Sequence, residues 1–292
     1  MFRTTVSTLA AGLLLLAACS SDDAEGSGAT QPSVTTATTE SETTESETSA
    51  VESTPTTTEP EPEPDETTST VEPSFYFATI PPGGELPDEA TCAEQVLIDP
   101  SSEIIPENAE MNATAGGPSV DIDGADEVWN DAFAPRITGD FAGTTEQILR
   151  WGACKWGFDE DITRARGITE SSWVAGRRGD DTDDPALCKL IDLTAPCPQS
   201  FGLLQVKGTV HEGTYPVSTE SSAFGVDYAM AWLRACFEGS FTWLEDERYT
   251  AGDELGCVGV WFSGEWFDQP ANDYVGEVRF HLEARTWEDF GR

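Results

Sequence analysis

A glutamate at the end of an apolar helical segment can act as a general acid, and Glu170 has that placement. Ile162, Ala165 and Ile168 recur at helical spacing before it, and Trp173 follows it closely. Apolar surroundings raise the pKa of a glutamic acid towards neutrality, and it can then protonate the leaving oxygen of a glycosidic bond. Glu170 is therefore the candidate general acid. The alternative is one more solvated carboxylate in an acidic chain.

A second segment, Gly202-Leu203-Leu204-Gln205, carries groups suited to a sugar ligand. The glycine lets the backbone approach a ligand closely, and the Gln205 amide can both donate to and accept from polar groups of a sugar. The alternative is a buried helix start in which both leucines serve only the core. We expect Leu203 in the core in either case.

Indole rings stack on the apolar faces of sugars, and the chain has nine tryptophans. Most of them should fill the core, since tryptophan is the largest apolar side chain. Trp173 and Trp261 are the candidates for a sugar-binding cleft.

The elements that must position these residues are predicted to be helices. Residues 144–147 form a capping box, and Asp159 is a good N-cap for the segment that leads to Glu170. No long strand is indicated in the last 150 or so residues, so the fold class is mainly α. The helices are predicted at residues 144–156, 159–170, 223–237 and 272–284, with a short one at 126–137.

Two segments resemble the motifs of soluble lytic transglycosylase domains, which share the lysozyme-like fold with goose-type lysozyme. Residues 168–173 are similar to the family's Glu-Ser motif, and residues 200–206 to its Gly-Leu-x-Gln motif. Residues 156–159 resemble the turn before the catalytic helix, and residues 259–264 resemble a later Tyr-Asn-x-Gly segment. The likeness covers roughly residues 144–270.

The resemblance implies a helix-dominated α+β lysozyme-like domain that cleaves peptidoglycan glycan strands. Glu170 would be the catalytic acid and base of a lytic transglycosylase, which leaves 1,6-anhydromuramoyl ends and needs no cofactor or metal. The substrate-binding residues would be Ser171, Trp173, Gln205, Tyr228 and Trp261.

The chain also departs from the family pattern. The gap between Glu170 and Gly202 is longer than in compact members, and Trp261-Phe262 replaces the family's Tyr-Asn. The family tyrosine brings a hydroxyl near the glutamate, which Trp261 cannot do, and Tyr228 is the candidate replacement.

Two other functions stay open. A hydrolytic lysozyme of the inverting type needs a second carboxylate about 6.5–9.5 Å from the acid, and the acidic run at residues 180–184 contains candidates. A non-catalytic peptidoglycan-binding lipoprotein would explain the Trp261-Phe262 departure and an acidity that does not favour an anionic wall.

The charge excludes one class of partner. With 54 Asp and Glu against 15 Lys and Arg the net charge is -39, and such a chain repels nucleic acid. HExxH and Gly-x-Ser-x-Gly motifs are absent from the sequence. Residues 121–126 miss the spacing of an EF-hand loop and are interpreted as a solvated acidic turn.

The N-terminus predicts export and anchoring. Arg3 precedes a short apolar run at residues 6–18, and Leu16-Ala17-Ala18-Cys19 resembles the lipobox of bacterial lipoproteins. The run is too short to span a bilayer. Cys19 would carry the lipid and hold the protein outside the cytoplasmic membrane. An ordinary cleaved signal peptide is the alternative.

Four segments follow from these patterns. Residues 1–18 are a lipoprotein signal peptide, and residues 19–72 are the lipid anchor followed by a disordered Thr/Ser/Glu/Pro linker with too little apolar surface to fold. Residues 73–143 are an extended N-terminal arm or cap. Residues 144–292 are the lysozyme-like transglycosylase domain, which we expect to be monomeric.

Six cysteines besides Cys19 favour three disulfides in an exported domain. Metal ligation is the rival, but no CxxC pair and only two histidines are present. Closeness in sequence pairs Cys188 with Cys197 and Cys236 with Cys257, which leaves Cys92 for Cys154.

Overall fold

The structure is a computed structural model that describes residues 75–244 and 248–290. The predicted signal peptide, Cys19 and the linker at 19–72 lie outside the described residues. The described residues belong to one compact unit that is dominated by helices, as predicted. Within them no helix has both the length and the apolar character needed to cross a membrane.

The regular elements are short helices with one small sheet. The helices are α1 (Glu89–Ile98), α2 (Ala109–Ala113), α3 (Glu127–Phe133), α4 (Thr145–Trp156), α5 (Glu160–Ser171), α6 (Pro185–Leu190), α7 (Ser222–Phe237), α8 (Glu254–Ser263) and α9 (Gln269–Ala284), and the strands are β1 (Arg178–Gly179), β2 (Ser200–Phe201) and β3 (Val206–Lys207). Short 3₁₀ turns lie at Pro106–Asn108, Ala134–Arg136, Val217–Thr219 and Thr286–Asp289.

The two helices that lead to Glu170 form where the capping signals predict. Thr144 and Gln147 make the reciprocal capping box of α4, and Gly157 ends that helix in the left-handed conformation with φ 65°. The Asp159 side chain then accepts from the backbone N–H groups at the start of α5. Local sequence thus fixes the turn that orients α5.

Helix α7 is the centre of the core. Every residue from Ser222 to Phe237 is buried, and α4 and α8 pack against it. A helix that is buried all round has apolar or paired residues on every face. Asp227 and Arg234 are its buried charged residues, and Asp227 is satisfied by Lys155 Nζ at 2.8 Å and Trp156 Nε1 at 2.6 Å.

Residues 73–143, predicted to be an extended arm or cap, are more helical than expected. Helix α1 covers ten residues of the segment and α2 five, whereas α3 falls within the short helix predicted at residues 126–137. The segment is also bound into the core, because buried Arg234 donates to the carbonyl of Ile80 at 2.7 Å and the backbone of Thr138 donates to Asp227. Only Cys92 and Val96 of α1 are buried, which leaves a weak periodic signal in the sequence.

The sheet has the order β1-β2-β3 and is antiparallel throughout. Arg178 pairs with Phe201, and Phe201 pairs in turn with Val206. Each strand has only two residues, in agreement with the prediction that no long strand occurs. The sheet brings residues around 180, 200 and 205 next to one another.

All three predicted disulfides are present, Cys92 with Cys154, Cys188 with Cys197 and Cys236 with Cys257. The first ties α1 to α4, the second links the end of α6 to the approach to β2, and the third joins α7 to α8.

Candidate active site

Three of the predicted site residues, Glu170, Gln205 and Trp261, line one cavity of about 600 Å³. We call it the Glu170 cavity. The end of α5, the sheet, the end of α8 and the start of α9 form its walls. Its other lining residues are Thr169, Asp180, Ser200, Lys207, Phe262, Pro270, Asp273, Tyr274 and Glu277.

Glu170 is half-buried at the last turn of α5. Burial raises its pKa from 4.5 to about 7, against the lowering effects of a hydrogen bond from Tyr274, the positive charge of Arg166 and a hydrogen-bonding interaction with Trp261. The negative charge of Asp180 raises it further. A carboxyl group with this pKa is protonated for a substantial fraction of the time near neutral pH, as a general acid must be.

Tyr274 is the site residue that sequence reasoning missed. Its hydroxyl donates to Glu170 Oε1 at 2.5 Å, and its ring stacks on Phe262 with centroids 4.7 Å apart. Burial raises the tyrosine pKa well above its ordinary value, so the hydroxyl keeps its proton and donates. The available signal was the presence of this tyrosine in the helix predicted at residues 272–284.

The assignment of the hydroxyl to Tyr228 is wrong. Tyr228 lies in the middle of α7 with no exposed surface, and its hydroxyl bonds to His211 Nδ1 at 3.1 Å. Burial lowers the His211 pKa to about 4, so the ring is neutral at pH 7. Tyr228 therefore belongs to the core and is not among the residues that line the Glu170 cavity.

Trp173 and Ser171 are also core residues rather than ligand-binding ones. Trp173 is 2% exposed and packs over Gly167, where an added Cβ would lie 3.0 Å from the indole. The buried Ser171 hydroxyl donates to the Gly167 and Leu203 carbonyls. The second of these bonds fixes the end of α5 to the Gly202–Gln205 turn, so Ser171 positions the site without facing a ligand.

Gln205 enters the cavity from an unusual backbone conformation. Its φ is 49°, and Gly202 before it has φ 82°. The side-chain nitrogen donates to the Gly202 carbonyl at 2.8 Å and to the Arg177 carbonyl at 3.3 Å. Both bonds use the nitrogen, so the amide oxygen is the atom that can accept from a ligand hydroxyl. Leu203 and Leu204 are buried in the core, as expected for Leu203.

Arg166 is a buried cation beneath the site. It has no exposed surface, its Cζ lies 5.7 Å from the Trp261 ring centroid, and its Nη1 contacts the Met230 sulfur at 3.3 Å. Its charge lowers the pKa values of Glu170 and Tyr274. Arg166 therefore opposes the effect of burial and keeps the Glu170 pKa from rising further.

A raised pKa does not by itself mark the site. Burial also raises the pKa of Glu254 to about 7, but Glu254 accepts from Thr79 Oγ1 at 2.8 Å and does not line the Glu170 cavity. Accessibility from the cavity and the bond to Tyr274 distinguish Glu170.

Asp180 is a second carboxylate in the cavity. Its Oδ2 accepts from Ser200 Oγ at 2.6 Å and pairs with Lys207 Nζ at 3.3 Å. Asp184, at the end of the same acidic run, caps α6 instead. Similarly, Asp126 in the other acidic turn caps α3. In the part of the chain that the structure describes, no three His, Cys, Asp or Glu side chains converge as metal ligands.

No protein-family model matches the chain, and no curated protein or solved structure is significantly similar to it. The function must therefore be argued from the site.

Proposed function

We propose that this protein is a peptidoglycan-cleaving lytic transglycosylase with Glu170 as general acid and base. The observation that carries the proposal is the environment of Glu170, which is half-buried, faces a cavity of about 600 Å³, accepts a 2.5 Å hydrogen bond from Tyr274 and has a pKa of about 7. Such a carboxyl group can give and take a proton near neutral pH.

The sequence motifs supply the substrate class. The Glu-Ser and Gly-Leu-x-Gln segments resemble those of soluble lytic transglycosylases, and a lysozyme-like fold is proposed for residues 144–292 on that basis. The contact of Ser171 with the Leu203 carbonyl at 2.9 Å supports this reading, since it joins the two segments directly. The substrate would be the β-1,4 bond between N-acetylmuramic acid and N-acetylglucosamine.

The reaction would use one carboxyl group twice. Glu170 protonates the glycosidic oxygen as the bond to the muramoyl anomeric carbon breaks, and the carbonyl oxygen of the substrate's acetamido group bonds to that carbon. The muramoyl O6 then attacks the same carbon and displaces the acetamido oxygen. Its proton passes to the Glu170 carboxylate, which restores the acid, and a 1,6-anhydro ring is formed. General acid help of this kind contributes about 10² to 10⁴ in rate.

Tyr274 supplies the hydroxyl that the Trp261-Phe262 departure takes away. The replacement of the family's Tyr-Asn by Trp261-Phe262 deprives the site of a hydroxyl at that position, but Tyr274 brings one to Glu170 from α9. Phe262 stacks on Tyr274, so the departure in α8 and the new hydroxyl in α9 form one contact. This argues against the non-catalytic wall-binding alternative.

The proposed location is the outer face of the cytoplasmic membrane, with the lipid on Cys19. The linker at residues 19–72 would let the catalytic domain reach glycan strands at a distance from the membrane. No other partner is proposed, and the protein would act as a monomer.

Hydrolysis is the second candidate, and Asp180 is the observation that favours it. Its carboxylate shares the cavity with Glu170 and contacts Lys207 and Ser200, so it could direct a water molecule at the anomeric carbon. The variant Asp180→Asn distinguishes the two reactions. A hydrolase would lose its reducing-end products, whereas a transglycosylase would keep its anhydro products.

The test of the proposal compares three proteins on purified peptidoglycan. The wild type should release soluble muropeptides, and Glu170→Gln should release none, because the amide is nearly isosteric but cannot donate the proton. Glu283→Gln is the matched control and should release muropeptides like the wild type, since Glu283 is an exposed glutamate of α9 that does not line the cavity. Equal release by wild type and Glu170→Gln would overturn the assignment of the acid.

A further inference from the structure

A second cavity, of about 530 Å³, adjoins the Glu170 cavity. We call it the tryptophan pocket. The two share Lys207, Trp261 and Phe262 as lining residues, so these three side chains form the boundary between them. A ligand that lies over this boundary contacts both cavities at once.

The two cavities differ in chemistry. The Glu170 cavity contains four acidic side chains, Glu170, Asp180, Asp273 and Glu277. The tryptophan pocket is walled by Trp232, Trp243 and Trp261, with Asp123 and Lys207 as charged groups among its lining residues. It therefore combines flat apolar surfaces with a few polar groups, which suits a ring that is apolar on its faces and polar at its edge.

Trp243 is exposed and yet held in place. It is 42% exposed, and its indole lies over Gly124, where an added Cβ would be 2.3 Å from the indole nitrogen. Its ring also packs against Phe241 with centroids 5.7 Å apart. An exposed indole with a fixed orientation is preorganised for stacking, so a ligand would lose little rotamer entropy on binding there.

Trp261 and Trp232, which also line the tryptophan pocket, are held by neighbouring rings. Trp261 stacks on His211 at a centroid distance of 5.1 Å and an interplanar angle of 6°, and it meets Trp232 edge to face at 5.2 Å. Trp232 packs on Phe241 with ring centroids 4.6 Å apart, and Phe241 in turn packs against Trp243. The aromatic rings thus form one continuous packed group that reaches from Trp243 to Trp261, the tryptophan that lines both cavities.

We propose that the tryptophan pocket is a binding site for a further hexopyranose ring of the glycan strand that occupies the Glu170 cavity. The sugar would stack on Trp243, and its edge hydroxyls would meet Asp123 and Lys207. The strand would pass over Trp261 and Phe262 between the two cavities. This inference rests on the proposed function and adds one sugar-binding position beyond the Glu170 cavity.

The experiment measures binding of chitohexaose, an N-acetylglucosamine hexamer, by titration calorimetry. The Glu170→Gln variant serves as the background, because it should bind without cleavage. Adding Trp243→Ala should weaken hexamer binding about fivefold to tenfold, the size expected for the loss of one aromatic stacking contact. Trp243→Phe should restore most of the affinity, since a phenyl ring can still stack.

Phe280→Ala is the matched control. Phe280 is a 61% exposed aromatic residue that lines neither cavity, so its loss should leave hexamer binding unchanged. Unaltered hexamer affinity in Trp243→Ala would overturn the sugar site. Failure of the Glu170→Gln background to bind the hexamer would also overturn the sugar site. Cleavage of peptidoglycan by the wild type tests the proposed function separately.

Discussion

Tyr274 donates a hydrogen bond of 2.5 Å to Glu170 across 104 residues of sequence. The bond joins α9 to the last turn of α5, and these two helices pack against each other. The packing of α5 on α9 therefore sets the orientation of the candidate acid.

Tyr274→Phe should lower the turnover number about tenfold, because the carboxyl group loses its fixed orientation. It should also move the alkaline limb of the pH profile upward, since the tyrosine bond lowers the Glu170 pKa and its removal raises it. The measurement is the pH dependence of muropeptide release. Tyr76→Phe is the control, because Tyr76 donates a comparable bond of 2.7 Å to Asp159 outside the cavity. An unshifted profile in Tyr274→Phe would contradict this role.

Glu170→Gln should stabilise the fold at pH 8 and have little effect at pH 4. Burial raises the folded-state pKa from 4.5 to about 7, so between these values the folded state holds a proton that the unfolded state has lost. The stability that this group contributes is present below pH 4.5 and is lost as the pH rises through 7. The expected gain at pH 8 is on the order of 1–2 kcal/mol, reduced from the full effect because Glu170 is only half-buried.

Thermal unfolding at the two pH values measures this effect, and Glu277→Gln serves as the exposed control. An equal gain in stability at pH 4 and pH 8 in the Glu170→Gln variant would show that burial does not destabilise the ionised carboxylate. Such a result would remove the basis for its action as an acid near neutrality.

Removal of the Cys188 to Cys197 disulfide should lower activity more than stability. The bridge closes a loop of about ten residues, which corresponds to about 2.5 kcal/mol by chain entropy. Cys197, at the end of this loop, pairs with Thr182, and both lie close in sequence to Ser200 and Asp180 of the Glu170 cavity. We expect the Cys188→Ser, Cys197→Ser variant to cleave severalfold more slowly, with a modest fall in melting temperature.

The Cys92→Ser, Cys154→Ser variant is the comparison. Its bridge spans 62 residues, corresponds to about 4 kcal/mol by the same argument, and lies outside the Glu170 cavity. It should therefore lower the melting temperature more. Cleavage at the normal rate by the Cys188→Ser, Cys197→Ser variant would refute the link between that loop and the site.

Cys19→Ala should release the protein from the membrane fraction without altering its activity on soluble glycan. In the proposed function Cys19 carries the lipid, as its lipobox-like sequence predicts, and the linker would separate it from the catalytic domain. Ser20→Ala is the control, which should remain in the membrane fraction. Immunoblotting of separated membranes provides the measurement. A Cys19→Ala variant that is still membrane-bound would mean that the anchor lies elsewhere.

Local signals in the sequence were sufficient for much of the helical framework. The capping box at Thr144 and the N-cap at Asp159 depend only on neighbouring residues, and the structure confirms both. The cysteine pairings followed from closeness in sequence and elimination. Glu170 and Gln205 were identified by motif, and they line the same cavity.

Contacts between distant segments could not be predicted in this way. Tyr274 reaches Glu170 only because α5 packs on α9, which no local pattern specifies. Trp173 lies in the core because Gly167 leaves space for its indole. Tyr228 lies on a helix that is buried on every side. Helix α1 was missed because Cys92 and Val96 alone mark its buried face.

The most direct test of the account is mass spectrometry of the products that the purified protein releases from peptidoglycan. The account predicts muropeptides with 1,6-anhydromuramoyl ends from the wild type and none from Glu170→Gln, at equal protein concentration and with both variants folded. Intact glycan strands after incubation with the wild type, or the same anhydro products from Glu170→Gln, would contradict the claim that Glu170 cleaves the glycan.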